Sequence, residues 1–198
     1  MRYEVTTAPT VEPVAVEEAK EHLRLTHDEH DKYISELVRA AREEMERYTG
    51  RAFLQQTITL WLDASDLKGY GDGVIWLPKP PFLAITSVTG YDDDDDAALV
   101  PTGNYYTVGT DPAKLFEDLD TTGFAAADRR RDALKVVYTA GYGTVRSSVP
   151  WPLRQAIRVR VADLYYGGTS ALQGTVRSGP LPGNWQELAV GFRYGYLC

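Results

Sequence analysis

Three histidines, His22, His27 and His30, lie close to Asp28, Glu29 and Asp31, a set of nitrogen and oxygen donors of the kind that holds zinc. No histidine pair has the i, i+4 spacing on one helix that a metalloprotease uses. His27 to Asp31 also span a helix entry, where polar groups are expected to meet unpaired backbone N–H groups. The expectation is a solvated helix start without a metal. Asp92, Asp93, Asp94, Asp95 and Asp96 concentrate hard oxygen ligands suited to calcium, but an EF-hand loop needs alternating ligands, a central glycine and a distal glutamate. They read instead as an exposed acidic loop at a hairpin tip, since aspartate favours turns.

Gly141, Tyr142 and Gly143 follow a strand pattern, as a dinucleotide-binding loop would, yet position 146 is Arg and the next helix starts only near Pro152. That reading is rejected. The chain has no phosphate-loop lysine motif and no nucleophile-elbow serine, and Ser147 and Ser148 fall in an ordinary loop. Its single cysteine, Cys198, allows no internal disulfide and no thiolate zinc site within one chain, which favours a reducing compartment. Catalytic residues, bound metal and cofactor are all expected to be none. Two basic groups could meet phosphate: Arg129, Arg130 and Arg131 in a loop, and Arg154 with Arg158 one helical turn apart. In a chain of net charge −7, solvation or pairing with acids such as Asp128 and Asp132 is the better reading.

The elements that position these residues follow from periodicity. Val16, Ala19 and Leu23 share one face of a helix predicted over 14–25, with Glu17 and Glu18 near its start and Arg24 at its end. A second helix over 28–49 carries a stripe of Ile34, Leu37, Val38, Ala41, Met45 and Tyr48. Thr26 and Glu29 have capping-box spacing, Asp28 competes as cap, and Gly50 supplies a left-handed stop. From Gln55 the period becomes two, with Ile58, Leu60 and Leu62 alternating with Thr57, Thr59 and Trp61. Further strands are predicted at 73–77, 85–91, 105–108 and 134–139. A last helix over 151–166 has Pro152 in its first turn, a stripe of Leu153, Ala156, Ile157, Val161 and Leu164, and an end at Gly167 and Gly168. Without strict alternation of strand and helix, the fold class is α+β. N-terminal helices and a C-terminal helix pack with an antiparallel sheet or hairpin insertion over 55–140, all within one domain over 1–168.

Residues 169–198 form the remaining extension. Gly174, Gly179, Pro180, Pro182, Gly183, Gly191 and Gly195 should break any regular element there. The same stretch holds Leu181, Trp185, Leu188, Phe192, Tyr194, Tyr196 and Leu197, too much apolar surface for a solvated linker. From Pro150 onward five arginines, among them Arg177 and Arg193, face two acids, so this end carries +3 and the preceding residues −10. An acidic body with a basic, aromatic end suggests self-association or an acidic partner. The partner-interface candidates are therefore Arg177, Leu181, Trp185, Leu188, Phe192, Arg193, Tyr194 and Tyr196.

The chain's 198 residues, 43% hydrophobic and 25% charged, suit a globular domain with a sizeable core and exclude wholesale disorder, collagen and coiled coil. The net charge argues against a protein whose main occupation is wrapping nucleic acid. The N-terminal fifteen residues do not read as a signal peptide, and no apolar run approaches bilayer length. A soluble, cytoplasmic protein is expected.

Several segments occur in a suggestive order. They are 14–25 (VAVEEAKEHLRL), a long helix containing Ile34 and 37–46 (LVRAAREEME), 48–51 (YTGR), Gln56-Thr57, 77–81 (LPKPP), 138–143 (YTAGYG) and Val149-Pro150. Together, over about 13–166, they resemble the gp6-like head-tail connector, adaptor or head-completion proteins of long-tailed bacteriophages and gene transfer agents. The resemblance implies a non-enzymatic virion protein in a dodecameric ring beneath the portal. Such a ring extends the DNA channel, which DNA crosses without specific binding, and docks the next neck component, a stopper or tail terminator. It further implies assembly in the host cytoplasm, residence at the head-tail junction, no membrane, and a C-terminal segment engaging the portal, here residues 167–198. The alternatives are a small soluble ligand-binding or enzymatic domain of unknown substrate, with Trp and Tyr stacking on a ligand, and a packaging accessory that binds DNA directly.

Overall fold

In the computed structural model, which describes residues 1–69, 74–118, 120, 124, 131–172 and 185–194, the elements run in chain order. They are β1 (Arg2–Thr7), α1 (Val16–Leu23), α2 (Asp31–Thr49), β2 (Gln56–Leu62), α3 (Ala64–Gly69), β3 (Val74–Leu77), β4 (Phe82–Tyr91), β5 (Ala97–Leu99), β6 (Tyr105–Val108), β7 (Ala113–Glu117), β8 (Leu134–Ala140), α4 (Trp151–Leu172) and α5 (Trp185–Ala189). The class is α+β, as expected. The contacts divide the chain into two interleaved units, 1–9 with 55–141 and 10–54 with 142–198. The chain passes between these units more than once, and the position 168/169 expected as a domain boundary falls within α4.

The second unit is helical. Ile34, Val38, Ala41 and Met45 of α2 are buried, and so are Leu153, Ala156, Ile157 and Val161 of α4. Their stripes form one core with Ala19 and Leu23 of α1, Phe53, Leu54 and Val149, because each helix must hide a face repeating every 3.6 residues. In α1, Glu18 Oε2 accepts the Ala15 N–H at 2.9 Å, and Arg24 ends the helix at φ 58°. Gly50 ends α2 at φ 71°.

Two expected helix boundaries are corrected. α2 starts at Asp31, not 28, and its cap residue His30 makes no side-chain capping bond. The capping-box spacing of Thr26 and Glu29 goes unused. Asp28 is instead drawn to Lys20 Nζ at 2.5 Å. α4 runs to Leu172, through the Gly167 and Gly168 where an end at 166 was expected. A mid-helix glycine costs only about 1 kcal/mol against alanine, and the Val161 and Tyr165 side of the helix remains packed in the core. With α5, this places regular structure inside a stretch expected to have none.

The first unit is all antiparallel apart from the short α3. One sheet has strand order β1-β2-β8-β4-β5 and a second has β3-β7-β6. β8 lies between β2 and β4, with Ile58 opposite Tyr138 and Tyr138 opposite Ile85. Its Leu134, Val136, Tyr138 and Ala140 are buried in strict alternation. The buried Tyr138 hydroxyl donates to the Pro78 carbonyl at 2.6 Å, which offsets its desolvation. In the second sheet Ile75 and Leu77 of β3 and Ala113 and Leu115 of β7 are buried. Strands β1, β5 and β7 and helix α3 come in addition to the elements expected from the sequence. Among the described residues no helix is long and apolar enough to cross a membrane.

Candidate functional site

The residues that first invite chemistry are tied up with one another. Lys20 Nζ binds Asp28 at 2.5 Å and Asp31 at 2.7 Å. His30 Nδ1 shares a hydrogen bond of 2.6 Å with the Tyr165 hydroxyl, and the His27 ring meets His30 edge-on at 4.9 Å. His22 lies apart from these contacts, in an open hollow of about 480 Å³ lined also by Glu18, Glu21, Trp151, Arg154 and Arg158. Burial and then the neighbouring Arg158 guanidinium push its imidazole below the ordinary value, so it is neutral at neutral pH. Among the described residues no three His, Cys, Asp or Glu side chains converge as metal ligands.

Arg154 and Arg158 do come together, but on a carboxylate of their own chain. Glu18 Oε1 accepts Arg154 at 2.6 Å and Arg158 at 2.9 Å. The same guanidinium groups lie 5.4 and 4.7 Å from the ring centre of Trp151, which is itself 58% exposed. Desolvation alone would raise the Glu18 pKa. The Ala15 N–H, the Arg154 hydrogen bond and the two positive charges outweigh it and hold the carboxyl below its ordinary range. From sequence Glu18 stands out only as an acid at a helix start, and Trp151 does not stand out. Spacing along α4 showed the two arginines as neighbours, but their partner lies on α1. Arg129 and Arg130 lie outside the described residues, and Arg131 is exposed.

A second charged assembly lies on α2, where Arg42 is buried. It binds Glu12 at 2.7 Å and Glu46 at 3.2 Å, and Glu46 Oε1 also accepts the Phe53 N–H at 2.8 Å. This network braces the segments before and after α2. It exposes no reactive group.

The five aspartates form the tip of the β4–β5 hairpin. Asp92 Oδ1 accepts the N–H groups of Asp94 at 3.1 Å and Asp96 at 2.9 Å, and Asp95 takes φ 68°. Asp93, Asp94, Asp95 and Asp96 are exposed. At the other end of the reading, Ser148 packs beside Gly143, whose φ is 152° and whose added Cβ would lie 2.6 Å from the Ser148 Oγ. Position 143 of the YTAGYG segment therefore favours glycine on steric grounds.

Of the C-terminal candidates, Arg177, Leu181 and Tyr196 lie outside the described residues. The others sit on α5 and the turn after it. Trp185 is 7% exposed and packs edge-on against Tyr48 at 5.1 Å, within the core of its own unit. Phe192 packs partly buried against the same core, and its carbonyl accepts from Arg51 Nε. The Tyr194 N–H donates to the Thr49 carbonyl at 2.7 Å, and Arg193 lies 5.4 Å from the Tyr48 ring centre. The segment is thus seated on the end of α2. Leu188 at 36% and Val190 at 55% exposure point outward, and Val190 was not singled out from sequence.

Comparison with known proteins bears on this architecture. The family model described as phage gp6-like head-tail connector protein matches residues 14–99, within the stretch that carried the resemblance. No curated protein matches in sequence. Among solved structures, the fold is shared with a chain of the virion of a native gene transfer agent particle, with TM-score 0.75 and 23% identity. It is shared also with chains of the neck of a native particle computed with C12 symmetry, TM-score 0.74 and 22% identity, and of an empty particle computed with C6 symmetry, TM-score 0.71 and 21% identity. Each match covers 100% of this chain and 98% of the other.

Proposed function

We propose that this chain is a structural, non-enzymatic neck protein of a phage-like particle, one subunit of a ring between the portal and the tail. What carries the reading is the agreement of fold over the whole chain with neck and virion chains of gene transfer agents, joined to the connector family match over 14–99. The ring extends the DNA channel and docks the next neck component. It resides at the head-tail junction after assembly in the host cytoplasm. Twelve copies fit the C12 symmetry of one related neck. Because the residues before Pro150 carry −10, such a ring repels the duplex and lets it pass without specific binding.

The geometry supports a narrower choice of tail residues for the proposed portal contact. Trp185, Phe192 and Tyr194 seat the segment on its own unit, so their removal acts first on folding. Leu188, Val190 and Arg193, flanked in sequence by Arg177, Leu181 and Tyr196, form the proposed portal contact. The test is binding of the full chain to the portal protein from the same source, with images of any complex. Saturable rings are expected, and they should be lost in a Leu188→Asp, Val190→Asp double variant that leaves Trp185 seated. A full chain that neither binds the portal protein nor forms rings would sink the reading.

A further inference from the structure

The register of the β3-β7-β6 sheet places Val74, Phe116 and Tyr106 in one row and Trp76, Lys114 and Val108 in the next. These six side chains share the face opposite the buried Ile75 and Leu115. Tyr106 and Val108 are each 51% exposed, and the other four are half-buried. Tyr106 stacks on Phe116 at 5.2 Å with planes 7° apart. Lys114 Nζ lies 4.4 Å over the Trp76 ring and is the one charge among these six side chains. The outward face of an antiparallel sheet is ordinarily polar. This one has the composition of an interface centre, with aromatic residues around a single cation.

On the same unit, the far edge of the other sheet has the complementary character. β5 is Ala97-Ala98-Leu99, exposed along its whole length, with Leu99 at 75%. Among the described residues no strand pairs with its outer edge. It follows directly on the exposed acids Asp93, Asp94, Asp95 and Asp96. An apolar strand beside an acidic tip thus matches an apolar face with one cation.

We infer that in the assembled ring the β4–β5 hairpin of one copy lies on the Tyr106–Phe116–Trp76 face of the next, with its acidic tip toward Lys114. A closed ring needs a heterologous contact, in which each copy offers two different and mutually complementary patches. Hairpin and aromatic face are such a pair, and neither uses the C-terminal segment assigned to the portal. The inference rests on the ring reading above and names the contact between its subunits.

Two full-length variants test it, Leu99→Asp on the hairpin and Tyr106→Asp on the face. Leu99 is exposed and Tyr106 half exposed, so both variants should fold, Leu99→Asp melting as the wild type does and Tyr106→Asp lower only by the loss of its stack on Phe116. Should Tyr106→Asp fail to fold, Lys114→Glu takes its place on the face, and should Leu99→Asp fail, Asp94→Lys takes its place on the hairpin. Association between copies is followed by sedimentation, and rings on the portal protein by electron microscopy. Each variant alone should lose copy-to-copy affinity at least about tenfold, the effect of placing a charge in a desolvated contact centre. An equal mixture of the two should form pairs that grow no further, because one intact hairpin then meets one intact face. Variants that form rings as the wild type does would overturn this contact while leaving the ring reading standing. Tyr106→Asp forming normal rings but failing to bind another neck protein would likewise overturn it. A wild-type chain that forms no ring would remove both.

Discussion

Replacing Trp185 by alanine separates two roles that a tail tryptophan can play. In the structure the side chain is 7% exposed, edge-on to Tyr48 and beside the fully buried Ala189. Trp→Ala at a buried site costs about 3–5 kcal/mol when the surroundings cannot collapse. Here the loss has a ceiling, because α5 can release as a piece. The segment is otherwise retained by the Tyr194 N–H to Thr49 bond, the Arg51 to Phe192 bond and the packing of Phe192. About 3 kcal/mol is therefore expected, nearer the burial value of the side chain alone. For a chain of this length that lowers the melting temperature by about 6–12 °C. The assay is calorimetry on the free, full-length chain, with Leu188→Ala as the exposed control, expected within about 0.5 kcal/mol of wild type. Unchanged melting of Trp185→Ala combined with lost portal binding would refute the argument, since the ring would then serve a partner and not its own core.

Glu18→Gln should destabilise by about 1.5–3 kcal/mol, because Arg154 and Arg158 lose their shared charge-assisted acceptor. Since folding lowers the Glu18 pKa, its contribution is complete above the ordinary carboxylate range and is lost as pH falls through the lowered value. The stability gap between variant and wild type in urea titrations should accordingly close in acid. Arg42→Met should cost about 3–5 kcal/mol by leaving the buried Glu46 and the half-buried Glu12 without their cation, and a cycle with Glu46→Gln should show non-additivity. Gly143→Ala should cost about 1–3 kcal/mol through its positive φ and its approach to Ser148; adding Ser148→Gly should recover only the steric part, read from melting curves. Association between copies should strengthen from low to moderate salt, as repulsion between chains of charge −7 is screened, whereas direct duplex binding would weaken steeply over the same range.

Wherever one face of an element is buried and the other wet, the element is legible. The α2 stripe through Ile34, Val38, Ala41 and Met45 and the β8 alternation through Leu134, Val136 and Tyr138 are cases of this kind. β1 escapes such a reading because all six of its residues are exposed; it exists through its pairing with β2, from Arg2 opposite Trp61 to Thr7 opposite Thr57. β5 has three residues and no buried one. α4 passes Gly167, where an added Cβ would meet nothing within 4 Å, so the glycine weakens the helix without any geometry demanding a stop. The partners of Arg154 and Arg158 were likewise hidden, since they are set by the packing of α1 on α4 and not by spacing within either helix.

The tail and the second sheet pose the same question to opposite effect. Composition alone shows that Trp185, Phe192 and Tyr194 require cover, and the chain provides it with Tyr48, Thr49 and Arg51. The strands 74–77 (VIWL) and 105–108 (YYTV) carry the nearly unbroken apolar pattern of strands covered on both faces. In the folded chain Ile75 and Leu77 are covered while Tyr106 and Val108 are half exposed. Apolar patterning thus reports a need for burial, and only packing reveals whether one chain meets it. Where it does, as at Trp185, substitution acts on the free protein. Where it does not, as at Tyr106, substitution should leave the free protein intact and appear only when a second copy arrives.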